Sequence, residues 1–305
     1  MQAQTNNAEY RASITPTFAA DFPTLTVSGP ETDAVVENSN ATSSARAKQL
    51  ALNAKSASTS AVLGASTIAT QSAYSAATGT PVASINAKKI TVALLGDSMI
   101  DTLEPDFPQL TSALMLFYPN TEFTMLNYGV GSSNIEYGLH RLKNEYDYLD
   151  KHHSSLISQK PDIVVIESFG YNNFGNTPAG LDQQWLAIGQ IVSTLQKELP
   201  ESKIVLAATV APNSSFFAKG AAGIELSSQE RVEKTQTINK YLENIVNFAT
   251  SQQLPLADAY HPSLDGTEGK REFINASDNI HPSKTGAQLF ADVIAQAIVK
   301  NSLIE

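Results

Sequence analysis

At 305 residues and 42% apolar content, the chain can bury a sizeable core, as one large domain or two small ones. Its net charge of −10 argues against a nucleic-acid binder, which needs a basic face to displace counterions, and its lack of cysteine removes disulfides, thiolate catalysis and cysteine-ligated zinc. No run nears the roughly 18 apolar residues of a membrane span, and Met1-Gln-Ala-Gln-Thr has neither the charged start nor the apolar core of a signal peptide.

The first 88 residues form an irregular N-terminal extension. Ala12–Phe18 and Pro23–Gly29 alternate polar and apolar residues, which predicts two short strands. From about 38 to 87, Ala, Ser and Thr dominate with almost no aromatics, so a linker or stalk is expected over a packed domain. Ala47–Ala54 has helix formers that would fold against a partner chain, which points to self-association or surface attachment through this extension. A spacer of this kind suits a protein working outside the cytoplasm, and an extracytoplasmic location is expected.

From Lys89 to the C-terminus, short apolar runs alternate with long amphipathic ones. Strands are predicted at Ile90–Leu95, Glu122–Asn127, Asp162–Glu167, Lys203–Thr209 and Leu254–Ala257. Helices are predicted at Phe107–Tyr118, Ile135–Gln159, Leu181–Leu199, Ser228–Gln252 and Pro282–Lys300, with Pro119 and Pro161 behind the first two as stops. Near-continuous apolar strands separated by crossover helices imply an α/β fold: a five-stranded parallel sheet between two helical layers, with ligands at the carboxyl ends of the strands.

Chemistry-bearing residues fall on that rim. Gly96-Asp97-Ser98 ends the first strand, and Asp278-Asn-Ile-His281-Pro282 precedes the last helix. A serine at a strand tip, an imidazole and an acid are the parts of a nucleophilic triad. Their order, Ser then Asp then His, differs from those of chymotrypsin and subtilisin, and the Asp–His spacing is shorter than α/β-hydrolases use. Between them lie Asn127-Tyr-Gly129-Val-Gly131-Ser132 and Gly170-Tyr-Asn172-Asn173, each at a predicted strand end. Taken singly, these residues have plainer readings: Ser98 or Asp97 as a helix cap, Asn127, Asn172 and Asn173 as turn formers, and the glycines as turn residues. Asp258-Ala-Tyr-His261-Pro262 repeats the Asp-x-x-His-Pro spacing. Loop residues follow it, whereas a helical pattern follows His281, so His281 is preferred as the base. His152 and His153 are read as the solvated face of a helix, and His140 with Glu136 lacks a third ligand for a metal. No nucleotide fingerprint is present, and no metal or cofactor is expected.

Over about Lys89 to the C-terminus the four motifs together resemble the SGNH (GDSL-type) hydrolases. Gly96-Asp97-Ser98-Met99 resembles the first block, with Met in place of Leu, and Asn172-Asn173 resembles the third, with Asn in place of Asp. The resemblance implies a flavodoxin-like three-layer sandwich and a serine esterase in which Ser98, Asp278 and His281 are catalytic. The Ser98 and Gly131 amides and the Asn172 side chain would form the oxyanion hole. Some relatives place the glycine one position later, where this chain has Ser132, which is the alternative donor. The expected substrates are small-molecule or carbohydrate esters with short acyl groups such as O-acetyl. Two alternatives stand: a non-catalytic carbohydrate-binding or structural domain on a stalk, and an O-acyltransferase using the same triad.

Overall fold

The structure is a computed structural model that describes residues 87–305. The predicted strands near 12–18 and 23–29 and the Ala/Ser/Thr-rich spacer lie outside the described residues. β1 (Lys88–Gly96), β2 (Thr121–Gly129), β5 (Ile163–Glu167), β6 (Lys203–Ala208) and β7 (Leu256–Asp258) form one parallel sheet in the order β2-β1-β5-β6-β7.

Period-two alternation along fully buried strands builds two cores. Ala93 and Leu95 of β1, Val164 and Ile166 of β5, and Leu206 and Ala208 of β6 face one side. There they meet α3 (Ile135–Lys143), α4 (Pro178–Glu198) and α5 (Ser228–Gln252). Val92, Leu94, Ile163, Val165, Val205 and Ala207 face the other side, against α2 (Pro108–Phe117) and α6 (Lys284–Lys300). Such strands read as continuous apolar runs because both faces are covered. The termini follow local chemistry. Ser227 and Glu230 form a capping box on α5, Ser283 caps α6, and Pro178 opens α4 behind the Thr177 cap.

The strand order reverses at β1, whose neighbours β2 and β5 are reached by crossovers on opposite faces. A crevice therefore opens between the carboxyl ends of β1 and β5, where open α/β sheets bind ligands.

One predicted helix is corrected. The run expected to be helical over Ile135–Gln159 leaves the helix at Lys143 and forms an antiparallel hairpin, β3 (Tyr146–Tyr148) and β4 (Lys151–His153), followed by a short 3-10 turn at Ile157–Gln159. The alternation Tyr146-Asp-Tyr148 suits a strand, and Leu149 and Asp150 turn the chain with φ of 49° and 58°. His152 and His153 therefore lie on a strand: His152 pairs with Asp147 and Glu145, and His153 stacks on Tyr146. The last helix begins at Lys284; Pro282 instead bridges to Ile274.

Candidate active site

β1 delivers Asp97 and Ser98 to the crevice. Asp97 ends the strand, is fully buried, and accepts the Met99 amide at 2.8 Å as the cap of α1 (Ser98–Asp101). Ser98 is then the first helical residue, with its amide among the orphan donors of a helix start. Its Oγ has no hydrogen-bond partner among the described residues. Gly129, at the end of β2, must be glycine because a Cβ there would lie 2.2 Å from the Asp101 amide nitrogen. The second loop can therefore press against α1.

That loop is a tight turn. Ser133 N donates to Val130 O at 3.3 Å, and Ser132 occupies the left-handed region at φ 58°. The Gly131 amide is already engaged, donating to the Tyr148 hydroxyl at 3.0 Å. The Ser132 amide has no acceptor among the described residues. In the third loop, Asn172 Nδ2 donates to Asp97 Oδ2 at 2.9 Å. Asn173 works locally, donating to Gly170 O and accepting from the Gly175 amide, and Asn127 accepts the Gly129 amide.

In the last motif one carboxylate folds the turn and orients the ring. Asp278 Oδ1 accepts the amides of Ile280 and His281 at 2.9 and 3.1 Å, and Oδ2 lies 2.9 Å from His281 Nδ1. Burial works to raise the Asp278 pKa, but the His281 ring, these two amides and the imidazole charge outweigh it and hold the pKa below its ordinary value. A carboxylate only accepts, which puts the ring proton on Nδ1 and leaves Nε2 a lone pair. Nε2 is buried without a partner among the described residues. Ser98 Oγ and His281 Nε2 are not hydrogen-bonded to each other, although the His281 charge reaches Asp97, next to Ser98 in the chain.

His261 forms the same local pair. Its amide donates to Asp258 Oδ1 at 3.1 Å, and its Nδ1 lies 2.7 Å from Oδ2. Its surroundings differ, since His261 Nε2 lies 3.3 Å from Glu243 and the side chain is 48% exposed, against 19% for His281.

Beneath the crevice is a buried polar layer that the sequence motifs do not mark. Glu167, at the end of β5, is fully buried, accepts from the Phe169 amide, the Ser168 hydroxyl and the Asp97 amide, and has its pKa pushed well up by burial and then by the Asp97 charge. Asp97 is also raised: burial prevails over the Met99 and Asn172 hydrogen bonds and the charges of His281 and Arg141. Arg141 of α3 donates to Gly96 O at 2.9 Å and to Ser133 Oγ at 3.2 Å. Burial draws the Arg141 pKa down to about 10, so it stays cationic at neutral pH. A basic residue on the buried stripe of Ile135, Gly138 and Leu142 was the available sequence signal for it.

The family model for GDSL-like lipases/acylhydrolases matches residues 94–289. No curated protein matches the chain. Among solved structures, a lipase/acylhydrolase from Enterococcus faecalis is 21% identical over 70% of this chain and 96% of its own, with a TM-score of 0.48. A GDSL-like lipase from Bacteroides thetaiotaomicron is 16% identical over 69% and 88%, with a TM-score of 0.48. An acetylxylan esterase from Geobacillus stearothermophilus is 15% identical over 68% and 94%, with a TM-score of 0.45.

Proposed function

The chain belongs to the GDSL-like lipase/acylhydrolase family and is a carboxylic ester hydrolase, and we propose that it acts on short acyl esters, O-acetyl groups on carbohydrate among them, through Ser98, His281 and Asp278. The observation that carries this reading is His281: Nδ1 is held by Asp278, and Nε2 is buried without a partner among the described residues. Its Nε2 takes the Ser98 proton as Oγ attacks the ester carbonyl. The Ser98 and Ser132 amides and the second N–H of Asn172 receive the developing oxyanion, with Ser132 preferred over Gly131 because the Gly131 amide is engaged by Tyr148. The intermediate collapses as His281 returns the proton to the departing alcohol, leaving an acyl-serine. Water, deprotonated by the same imidazole, then attacks the acyl carbon; the bond to Ser98 Oγ breaks as His281 returns that proton to it, releasing the acid and restoring the serine.

Two features favour small neutral substrates. Exposed Met115, Leu116 and Phe117 end α2, which descends to the start of β2, so this apolar group lies at the opposite end of the sheet from Ser98. Arg141 is turned to Gly96 O and Ser133, so it is no clamp for an anionic substrate.

Rates on 4-nitrophenyl acetate and palmitate, with acetate release from an acetylated oligosaccharide, test the reading. Wild type should prefer acetate, Ser98→Ala and His281→Ala should lose about 10³-fold or more, and His261→Ala should stay within about twofold. Turnover surviving in Ser98→Ala removes the assignment. Equal turnover of palmitate removes the short-acyl part, and acetyl transfer to sugar in place of free acetate identifies a transferase.

A further inference from the structure

We propose that Tyr148 is a positioning residue for this reaction: its hydroxyl accepts the Gly131 amide and donates to Asp101, fixing the turn that directs the Ser132 N–H toward the ester oxygen. The inference rests on the reading of Ser98 as nucleophile. The hydroxyl joins three separate segments. It comes from the hairpin β3–β4, accepts from the second loop at 3.0 Å, and donates at 2.8 Å to Asp101 Oδ2, three residues after Ser98 on α1. Tyr148 thus gauges the second loop against the helix that carries the nucleophile.

The loop needs such a restraint. Serine disfavours the left-handed conformation it adopts at position 132. A rotation of the central peptide of the turn would relieve it and reverse the Ser132 N–H, since the orientation of that peptide distinguishes the two common turn types. The hydrogen bond closing the turn is long, at 3.3 Å. Anchoring the Gly131 amide removes one of the two ends about which the central peptide can swing. A Cβ at Gly131 would lie 3.0 Å from the hydroxyl oxygen, so the phenol is seated directly on the turn. Arg141 restrains the far side through Ser133 Oγ.

Steady-state kinetics on 4-nitrophenyl acetate, with thermal melting, test this in the full chain. Tyr148→Phe keeps the ring and removes the hydroxyl; kcat should fall about tenfold to a hundredfold with KM within about twofold, the signature of an interaction lost in the transition state. Asp101→Ala should lower kcat similarly, and the double variant should be no worse than the poorer single one. Tyr128→Phe is the control. It removes a different tyrosine hydroxyl tie, Tyr128 Oη to Ser154 O at 2.9 Å, and should cost melting temperature without moving kcat. The proposal is overturned if Tyr148→Phe turns over as wild type does, if its loss is entirely in KM, if it is unfolded at the assay temperature, or if Tyr128→Phe loses kcat equally. Failure of the serine-esterase reading would look different: wild-type turnover would be absent or insensitive to Ser98→Ala.

Discussion

Asn172 donates its side-chain amide to Oδ2 of Asp97 at 2.9 Å, tying the third loop to the residue directly before Ser98. One N–H is thereby committed, and the proposed mechanism assigns the other to the ester oxygen. Asn172→Ala is expected to lower kcat about 10²- to 10³-fold, as for other lost oxyanion donors. It also leaves a buried Asp97 oxygen unpaired, which should cost about 1–3 kcal/mol in denaturant unfolding. A variant that loses stability but keeps kcat would show the amide to be purely structural.

Asp278 makes folding depend on acidity. Its folded-state pKa lies below the ordinary 3.8, so its contribution to stability is full above that value and lost as pH falls through the lower folded value. Acid unfolding followed by circular dichroism should therefore have a shallower pH dependence below about pH 4 in Asp278→Asn than in wild type.

Glu167 has the opposite sign. Burial and then the Asp97 charge raise its folded pKa well above the ordinary 4.5, so its contribution is full below 4.5 and declines as pH rises toward the folded value. Glu167→Gln mimics the protonated acid. Its stability should fall less steeply than wild type above about pH 4.5, in urea titrations at several pH values.

Gly129 has no room for a methyl group, since the added Cβ would meet the backbone of Asp101. Gly129→Ala should destabilise by about 1–3 kcal/mol through overpacking. It should also depress kcat, because relief comes only by moving α1 or the second loop. A stability loss with unchanged kcat would mean that the displacement is absorbed elsewhere.

The sheet was legible because its central strands, β1, β5 and β6, are buried on both faces over most of their length and spell continuous apolar runs. The rim motifs were legible because four short runs of Gly, Asp, Ser, Asn and His follow one another in order at strand ends, although each alone reads as a cap or a turn. The hairpin was hidden: Tyr146, Tyr148 and the two histidines also fit a helical pattern, and the turn at Leu149-Asp150 lacks the glycine that would mark it. Arg141 and Glu167 escaped for another reason. Their roles depend on partners far along the chain, Gly96 for one and Asp97 for the other, which spacing cannot reveal.

Two copies of Asp-x-x-His-Pro fold into one and the same miniature, with the histidine amide on one carboxylate oxygen and its ring on the other. Pentapeptide chemistry alone thus generates an acid–imidazole dyad, wherever the chain carries it. Finding that dyad in a protein says nothing by itself about turnover. What distinguishes the copies is their company: a ring nitrogen buried without a partner among the described residues in one, and a surface glutamate in the other.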